Sequence, residues 1–273
     1  MVNIFGKGFI GTHYSNMYPS VVNDRNDLIP KSNNILYFIS TTDNYNVHTN
    51  PYIDVETNLT TLIRVLENTR KLDDVVFNFA SSWFVYGNVE SNADETNHCD
   101  PKGFYSITKR TAEQLLISYC ETFNIRYRIL RFSNVLGPGD KHVSVKKNAL
   151  TFLLRKLKNH EEINLYNNGN FYRDYMHVED VCTAVNLVLE RGNYNEIYNI
   201  GTGIPVLFKD AIDYIVQKTN SRSKINLVNQ SDFHKIVQTP SFYMNCDKMK
   251  KLGYTNFKDI YTILDELIEE KHN

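Results

Sequence analysis

The stretch VNIFGKGFIG at residues 2–11 decides the fold. Its first four residues predict a short buried strand, and a polar helix start follows the last glycine. The first glycine permits a tight turn, the second lets backbone approach a pyrophosphate, and the third lets the helix pack on the strand. This spacing alone is often accidental, but its place directly after a strand favours a dinucleotide site. The predicted cofactor contacts here are Gly6, Gly8, Phe9, Ile10 and Gly11.

A second strand is predicted at residues 20–22, and it ends at the neighbouring residues Asp24 and Arg25. An acidic residue here binds the ribose hydroxyls of NAD, whereas an arginine binds the 2′-phosphate of NADP. Both signals are present, so the sequence leaves NAD and NADP open, with NAD as the first choice. The alternative is that Asp24 and Arg25 belong to a solvated turn and bind no cofactor. The next strand, 34–41, contributes Ser40 as a further cofactor contact. It follows after about ten residues, too few for a helical crossover, which predicts a sheet trimmed on this side.

The middle of the chain brings a serine to the ligand side of the sheet. Residues 51–70 predict an amphipathic helix with Leu59, Leu62, Ile63 and Leu66 toward the core. The apolar run 75–80 then suits a central parallel strand. Such a strand delivers Ser82 to the carboxyl edge of the sheet, where doubly wound folds bind their ligands.

Residues 104–123 (FYSITKRTAEQLLISYCETF) predict a helix that carries Tyr105 and Lys109 on one face. An ammonium beside a phenol stabilises the phenolate, so we expect the Tyr105 pKa to fall toward neutral pH. The Tyr-x-x-x-Lys spacing is weak evidence alone, because two further copies are expected to be surface helix pairs. They are Tyr214/Lys218 and Tyr254/Lys258. The Tyr105/Lys109 copy differs from these two because Ser82 is expected to lie at the same edge of the sheet.

Composition excludes several classes of function. The formal net charge of −1 gives no basic field for nucleic acid or an anionic membrane, and no apolar run approaches the roughly 20 residues of a membrane span. The four cysteines lie far apart without metal-ligand spacing, which predicts free thiols and no metal site. The chain begins directly with a strand pattern, so we expect no targeting peptide and a cytoplasmic protein.

Six motifs occur in one order: GKGFIG, SSWFVYG, YSITK, RFSNVLGP, YRDYMHVEDV and YNIGTG. In this set and order the sequence resembles the extended short-chain dehydrogenase/reductases, specifically the NAD-dependent epimerase/dehydratase family acting on nucleotide sugars. The resemblance covers nearly the whole chain. It implies an α/β fold with a doubly wound parallel Rossmann sheet at 1–140, to which 174–200 returns. The remainder, 141–273, is mainly a smaller substrate-binding lobe.

The resemblance also implies roles for particular residues. Tyr105 is then the catalytic acid/base, Lys109 binds the nicotinamide ribose, and Ser82 holds the C4 oxygen of the sugar. Asn134 and Arg173 contact the diphosphate of the nucleotide sugar, and a surface ion pair with Asp174 is the alternative for Arg173. A homodimer through the helices at 51–70 and 104–123, and a role in polysaccharide biosynthesis, are implied as well.

Three departures from the family pattern limit what can be carried over. The glycine loop is one residue shorter than usual, and the segment after Asp24 lacks the helix and strand that complete the adenine pocket. Trp83 and Phe84 stand where the family's 4,6-dehydratases carry Asp-Glu, and neither can transfer a proton. The sequence therefore predicts a C4 epimerase with bound NAD. The alternatives are an NAD(P)H-dependent 4-keto-sugar reductase and a non-catalytic sensor.

Overall fold

The computed structural model describes residues 1–42, 44–89, 92–141, 143–144, 147–237 and 241–270. Its strands are β1 (Val2–Phe5), β2 (Ser20–Val22), β3 (Asn34–Tyr37), β4 (Val76–Ser82), β5 (Arg126–Phe132), β6 (Asn134–Leu136), β7 (Ile163–Tyr166), β8 (Tyr172–Arg173), β9 (Tyr175–His177), β10 (Glu196–Ile200), β11 (Val206–Leu207) and β12 (Ile225–Val228). Its α-helices are α1 (Phe9–Met17), α2 (Tyr52–Val55), α3 (Thr61–Thr69), α4 (Phe104–Thr122), α5 (Ala149–Lys158), α6 (Val178–Arg191), α7 (Phe208–Thr219), α8 (Asp232–Val237), α9 (Asp247–Lys250) and α10 (Ile260–Glu269).

The central sheet has six parallel strands in the order β10-β5-β4-β3-β1-β2. The chain passes from β1 to β2 on one side and then to β3 on the other side of β1. The strand order therefore reverses between β1 and β3, and doubly wound sheets bind ligands at the carboxyl edge of such a reversal. This confirms the predicted α/β class with a parallel Rossmann sheet.

The sheet is trimmed beside β2, as predicted. Residues 23–33, all of which the structure describes, cross from β2 to β3 without a helix. Two buried asparagines hold this crossing: Asn3 Nδ2 donates to Asn23 Oδ1 at 2.7 Å, and Asn3 Oδ1 accepts from the Lys31 backbone N–H at 2.6 Å. Asn23 Nδ2 also donates to the carbonyl oxygens of Asp27 and Ile29 at 2.9 and 2.8 Å. Side-chain amides thus replace the backbone bonds that a helix would supply.

Helices cover both faces of the sheet because alternate strand residues point to opposite sides. Phe77 and Phe79 of β4 pack with residues of α3 and α4, whereas Ala80 faces the cluster that includes α6. The predicted helix at 51–70 is interrupted by a π-helical turn, Glu56–Thr60. Leu62 and Leu66 are buried as predicted, but Ile63 is 40% exposed, so its placement in the core was wrong.

A third hydrophobic cluster lies in the C-terminal part of the chain, formed by residues of α5, α7 and α10 with β7. Two small two-stranded pairs accompany it, β7 with β12 and β8 with β11. The segment that holds α6 and β10 returns to the large sheet. There β10 pairs with β5, and the Tyr14 hydroxyl of α1 donates to Asn186 of α6 at 3.0 Å. Among the described helices, none is long and apolar enough to cross a bilayer.

Candidate active site

The glycine turn after β1 is as tight as its sequence predicts. Gly6 has φ +97°, and a Cβ added to it would lie 2.9 Å from the backbone nitrogen of Ile39. A Cβ on Gly11 would lie 2.3 Å from the carbonyl oxygen of Gly6, so α1 packs directly on the turn. Gly8, the N-cap of α1, has open space where its side chain would be. The turn and the first amide groups of α1 therefore offer an anion close approach to backbone.

A cavity of about 900 Å³ lies at this edge of the sheet. It brings together most of the predicted site residues, which come from the glycine turn, the ends of β3 and β4, α4, β6 and β8. They are Gly8, Phe9, Ile10, Gly11, Ser40, Ser82, Tyr105, Lys109, Asn134 and Arg173. Gly6 forms the turn beneath this wall. Asp24 and Arg25 are exposed at the end of β2 and are not part of the cavity wall.

Ser82 and Tyr105 meet in the cavity, with Lys109 behind them. Ser82 ends β4 and accepts a hydrogen bond from the Phe84 backbone N–H at 3.3 Å, so it caps the turn that follows. Tyr105 lies in the first turn of α4, whose start is fixed by Asn44: its Oδ1 accepts from the Ser106 N–H at 3.2 Å. Lys109 is 2% exposed, one turn deeper along the helix than Tyr105.

The prediction that Lys109 lowers the Tyr105 pKa was wrong for the protein without bound ligands. Burial raises the Tyr105 pKa to about 12, and hydrogen bonding with Ser82 and Ser40 opposes this rise. The Lys109 ammonium donates instead to the Ala80 carbonyl oxygen at 2.6 Å and lies 4.2 Å from the centre of the Phe79 ring. Burial lowers the Lys109 pKa to about 7, although the charge of Glu113 opposes it.

Behind Lys109 lies a buried ion pair that the sequence did not reveal. Glu113 follows Lys109 by one helical turn and is fully buried. Its carboxylate accepts from Arg131 Nε at 3.0 Å and Nη2 at 2.8 Å, from Arg110 at 2.8 Å and from the Ser81 hydroxyl at 2.5 Å. Every oxygen of this carboxylate is thus bonded, as burial of a charge requires. Through its bond to Ser81, Glu113 holds the residue next to Ser82 against α4.

Asn58 connects the loop after β3 to α4. It is 1% exposed and lies in the π-helical turn, a feature often found at functional sites. Its Oδ1 accepts from Ser40 Oγ at 3.0 Å and the Thr41 N–H at 2.9 Å, while its Nδ2 donates to Thr41 Oγ1 at 2.8 Å and Thr108 Oγ1 at 2.9 Å. One amide therefore holds cavity-lining residues against the helix that carries Tyr105 and Lys109.

Two aromatic rings form the cavity wall next to the Ser82 hydroxyl. Trp83 stacks on Phe84 at 4.1 Å between ring centres and on Phe242 at 4.9 Å, and Phe84 meets the Tyr105 ring edge-on at 6.0 Å. The wall beside the phenol is thus apolar. Neither indole nor phenyl exchanges protons near neutral pH, as the sequence predicted for these positions.

Arg173 and Asn134 also line the cavity. The Arg173 guanidinium lies 4.7 Å from the Phe171 ring centre and 5.5 Å from that of Trp83, and burial lowers its pKa to about 10. Asp174 faces away, since its carboxylate accepts from Thr202 N, Thr202 Oγ1 and Gly203 N. Asn134 Nδ2 donates to the Asp174 carbonyl oxygen at 3.0 Å. The alternative of an Arg173–Asp174 ion pair is therefore wrong.

The cavity carries an excess of positive charge. Among the described residues of its wall, five have Lys or Arg side chains and one has a carboxylate, Asp140. The five cations are Lys7, Lys109, Lys141, Lys147 and Arg173. Sequence reasoning missed most of this set, and it also missed Tyr166, Phe171 and His234, which line the same cavity. These residues lie far apart along the chain and carry no local spacing that could have singled them out.

Of the two other Tyr-x-x-x-Lys copies, one is the expected surface pair. Lys218 lies 5.2 Å from the Tyr214 ring centre on α7 and pairs with Asp265 at 3.1 Å. Tyr254 and Lys258 lie in a segment without helix, and the Tyr254 hydroxyl donates to Asp180 at 2.7 Å. The expectation of a helix pair there was wrong.

Comparison with known proteins agrees with this architecture. Residues 31–201 match the NAD dependent epimerase/dehydratase family. A Methanocaldococcus jannaschii protein named "Putative UDP-glucose 4-epimerase" is 31% identical over 211 residues, which cover 75% of this chain and 66% of that protein. The chain thus spans just under two thirds of that relative's length.

Solved structures share the fold over almost the entire chain. The UDP-glucose 4-epimerase of Thermotoga maritima, solved with UDP-glucose, has a TM-score of 0.86 at 22% identity and covers 98% of this chain and 97% of its own. RMD from Pseudomonas aeruginosa, complexed with NADPH, has a TM-score of 0.83 at 18% identity with the same coverage. At these identities the likeness shows the fold.

The parallel sheet, the glycine turn and the Ser-Tyr-Lys set define an extended short-chain dehydrogenase/reductase. More specifically, the chain belongs to the NAD dependent epimerase/dehydratase family, because the match spans more than half of it. This family uses NAD or NADP and comprises nucleotide-sugar epimerases, dehydratases and reductases. The tight glycine turn with its open second position fits the pyrophosphate of such a cofactor.

Proposed function

We propose that the protein is a nucleotide-sugar epimerase that oxidises C4 of the sugar transiently and reduces it again with the same bound NAD. One observation carries this proposal: Ser82, Tyr105 and Lys109 line a single cavity that extends from the glycine turn to Arg173. A dinucleotide and a nucleotide diphosphate are both anionic, and the cationic wall suits both. In this assignment Gly6, Gly8, Phe9, Ile10, Gly11 and Ser40 contact the cofactor.

The chain's own groups supply the proton transfers and the positioning. Tyr105 Oη removes the proton of the C4 hydroxyl and later returns it, while Ser82 Oγ donates a hydrogen bond to the same oxygen. Lys109 binds the nicotinamide ribose, and Asn134 and Arg173 hold the diphosphate. When bound, NAD would supply the hydride acceptor and donor, and its positively charged nicotinamide would offset the burial that raises the Tyr105 pKa.

A 4-keto-sugar reductase is the second candidate, and the trimmed crossing at 23–33 favours it. Asp24 and Arg25 lie exposed at the end of β2, so the adenosine end of the site is open and its cofactor can exchange with solvent. Arg25 would then bind the 2′-phosphate of NADP, whereas Asp24 would bind the ribose of NAD. The same Ser82, Tyr105 and Lys109 would serve either reaction. A non-catalytic sensor would not need this set.

The deciding experiment supplies UDP-glucose, UDP-N-acetylglucosamine or dTDP-4-keto-6-deoxyglucose, each with and without NADPH, and follows products by NMR. We expect C4 epimers of an ordinary sugar nucleotide without added reductant. Turnover of the keto sugar alone, with stoichiometric loss of NADPH, would establish the reductase. Tyr105→Phe is the control in both assays, and an active Y105F variant would reject the assigned acid/base.

We further propose that the protein is a cytoplasmic homodimer through α2, α3 and α4. Apolar side chains stand exposed along these helices, including Tyr52 at 73%, Ile107 at 43% and Leu115 at 37% exposure. Contiguous exposed apolar side chains mark interaction surfaces. Light scattering after size-exclusion chromatography should give twice the chain mass for the wild type and the monomer mass for Ile107→Glu. A monomeric wild type would reject the dimer.

A further inference from the structure

The short helix α8 packs against residues from two distant parts of the chain. Its Phe233 ring packs edge-on against Tyr45 at 5.1 Å and His48 at 4.5 Å. Its His234 ring stacks on Tyr166 of β7, with 5.0 Å between centres and 27° between planes. His234 is the residue of α8 that lines the cavity.

The surroundings of His234 disfavour its charged form. Tyr45 Oη lies 2.8 Å from His234 Nδ1, Tyr166 covers one ring face, and Arg173 of β8 is the charge that acts on it. On its own helix, Asp232 and Lys235 are exposed and pair with each other at 3.0 Å. Burial, and next the positive charge of Arg173, lower the His234 pKa, so the imidazole is neutral at pH 7.

We propose that His234 takes up a proton from solvent when a nucleotide-sugar diphosphate binds, and that it then holds this diphosphate together with Arg173. The inference rests on the proposed function, since it places the diphosphate beside Arg173. An anion there neutralises the charge that disfavours the imidazolium and accepts its N–H. The Tyr45 hydroxyl can either donate to Nδ1 or accept from it by rotating its O–H, so this hydrogen bond is available to both the neutral and the protonated ring.

Linkage gives this proposal a signature that a structural role lacks. Since binding raises the His234 pKa, the complex holds more protons than the free protein between the two pKa values. Affinity therefore rises as the pH falls through this window, by at most about tenfold per pH unit for one proton. A histidine that merely fixes α8 would change affinity equally at every pH.

The test is calorimetric titration of the whole protein with UDP-glucose in PIPES and in imidazole, two buffers of different ionisation enthalpy, from pH 6 to 8. The diphosphate diester of UDP-glucose does not itself titrate there. We expect the wild type to take up a fraction of a proton and to bind several-fold more tightly at pH 6 than at pH 8. His234→Gln should lose this uptake and show a flatter pH dependence.

Lys109 also titrates near pH 7, so the difference between wild type and H234Q is the decisive quantity. Equal proton uptake in both proteins, or a pH-independent difference in affinity, would overturn the proposal. Tyr45→Phe keeps the imidazole and should keep the uptake, and His98→Gln, an exposed histidine far along the chain, should match the wild type. Each variant is checked for folding by circular dichroism. If UDP-glucose, dTDP-glucose and GDP-mannose all fail to bind, the proposed function fails too.

Discussion

Lys109 Nζ donates a hydrogen bond to the carbonyl oxygen of Ala80 at 2.6 Å and thereby joins α4 to the end of β4. The ammonium is held in a buried position between a backbone oxygen and the Phe79 ring. This position places the ammonium where a cofactor ribose can bind to it. Burial of the charge also lowers the stability of the folded protein. Activity and stability should therefore respond to Lys109 in opposite directions.

Lys109→Met should make the stability difference between wild type and variant depend on pH. Burial lowers the Lys109 pKa to about 7, while an unfolded lysine titrates near its ordinary pKa of about 10.4. Between these values the unfolded chain binds more protons, so the wild type gains stability relative to K109M as pH rises, by at most about 1.4 kcal/mol per unit. Urea unfolding at pH 7, 8 and 9 measures this difference.

Lys218→Met is the matched control, because Lys218 belongs to an exposed Tyr-x-x-x-Lys pair on α7. Its stability difference from wild type should stay flat from pH 7 to 9. A flat difference for K109M would contradict the buried, titrating ammonium. In the NMR assay K109M should also lose about 10²–10⁴ in rate, because Lys109 positions the nicotinamide ribose next to the acid/base Tyr105.

Gly8→Ala and Gly11→Ala separate ligand binding from packing. A Cβ on Gly11 would lie 2.3 Å from the Gly6 carbonyl oxygen, so G11A should lower the free energy of unfolding by about 1–3 kcal/mol or more. A Cβ on Gly8 meets open space, so G8A should stay within about 0.5 kcal/mol of wild type. It should nevertheless weaken NADH binding, measured by fluorescence, at least tenfold. Equal NADH affinity in G8A and wild type would argue against a pyrophosphate at this turn.

Asn58→Ala should reduce both stability and activity. Its amide makes four hydrogen bonds to Ser40, Thr41 and Thr108, and truncation leaves buried partners unsatisfied at about 1–3 kcal/mol. Loss of this connection should also lower kcat, because the Ser40–Thr41 loop is no longer held against α4. Urea unfolding measures the first effect, with the exposed Asn159→Ala as a neutral control. If N58A were as stable as N159A, the hydrogen bonds of Asn58 would contribute nothing to the free energy of unfolding.

Glu113→Gln should destabilise the fold by about 3–5 kcal/mol, because two arginines lose their buried counter-charge. Although burial opposes it, Arg131, Ser81 and Arg110 together hold the Glu113 pKa below its ordinary value. A lowered carboxyl pKa contributes stability above its unfolded value of about 4.3 that is lost as pH falls. Wild type should therefore lose stability between about pH 5 and pH 3 more steeply than E113Q. The exposed Glu121→Gln of the same helix should follow wild type, and parallel curves for all three would refute the assignment.

Local sequence spacing predicted most of the sheet and its helices. The strand at 126–132 and the helix at 104–123 were predicted from the periodicity of apolar residues, a pattern that neighbouring residues of the sequence show directly. The π-helical turn at Glu56–Thr60 was not predictable in this way, because Asn58 bonds there with Ser40 and Thr108, which lie far from it along the chain. Ile63, in the following helix α3, is exposed, whereas Leu62 and Leu66 of that helix are buried.

The sequence by itself determined the order of strand, glycine turn and helix, the meeting of Ser82 with Tyr105 at one sheet edge, and the family. Short-range spacing and strand direction suffice for these, because parallel strands end at a common edge. Tertiary structure alone decided the charge states and the far wall of the cavity. The Tyr105 pKa rises instead of falling because burial removes water from the phenol while Lys109 turns to Ala80. His234 lines the same cavity as Arg173 although they lie 61 positions apart in sequence, and no local pattern encodes such a distant pairing.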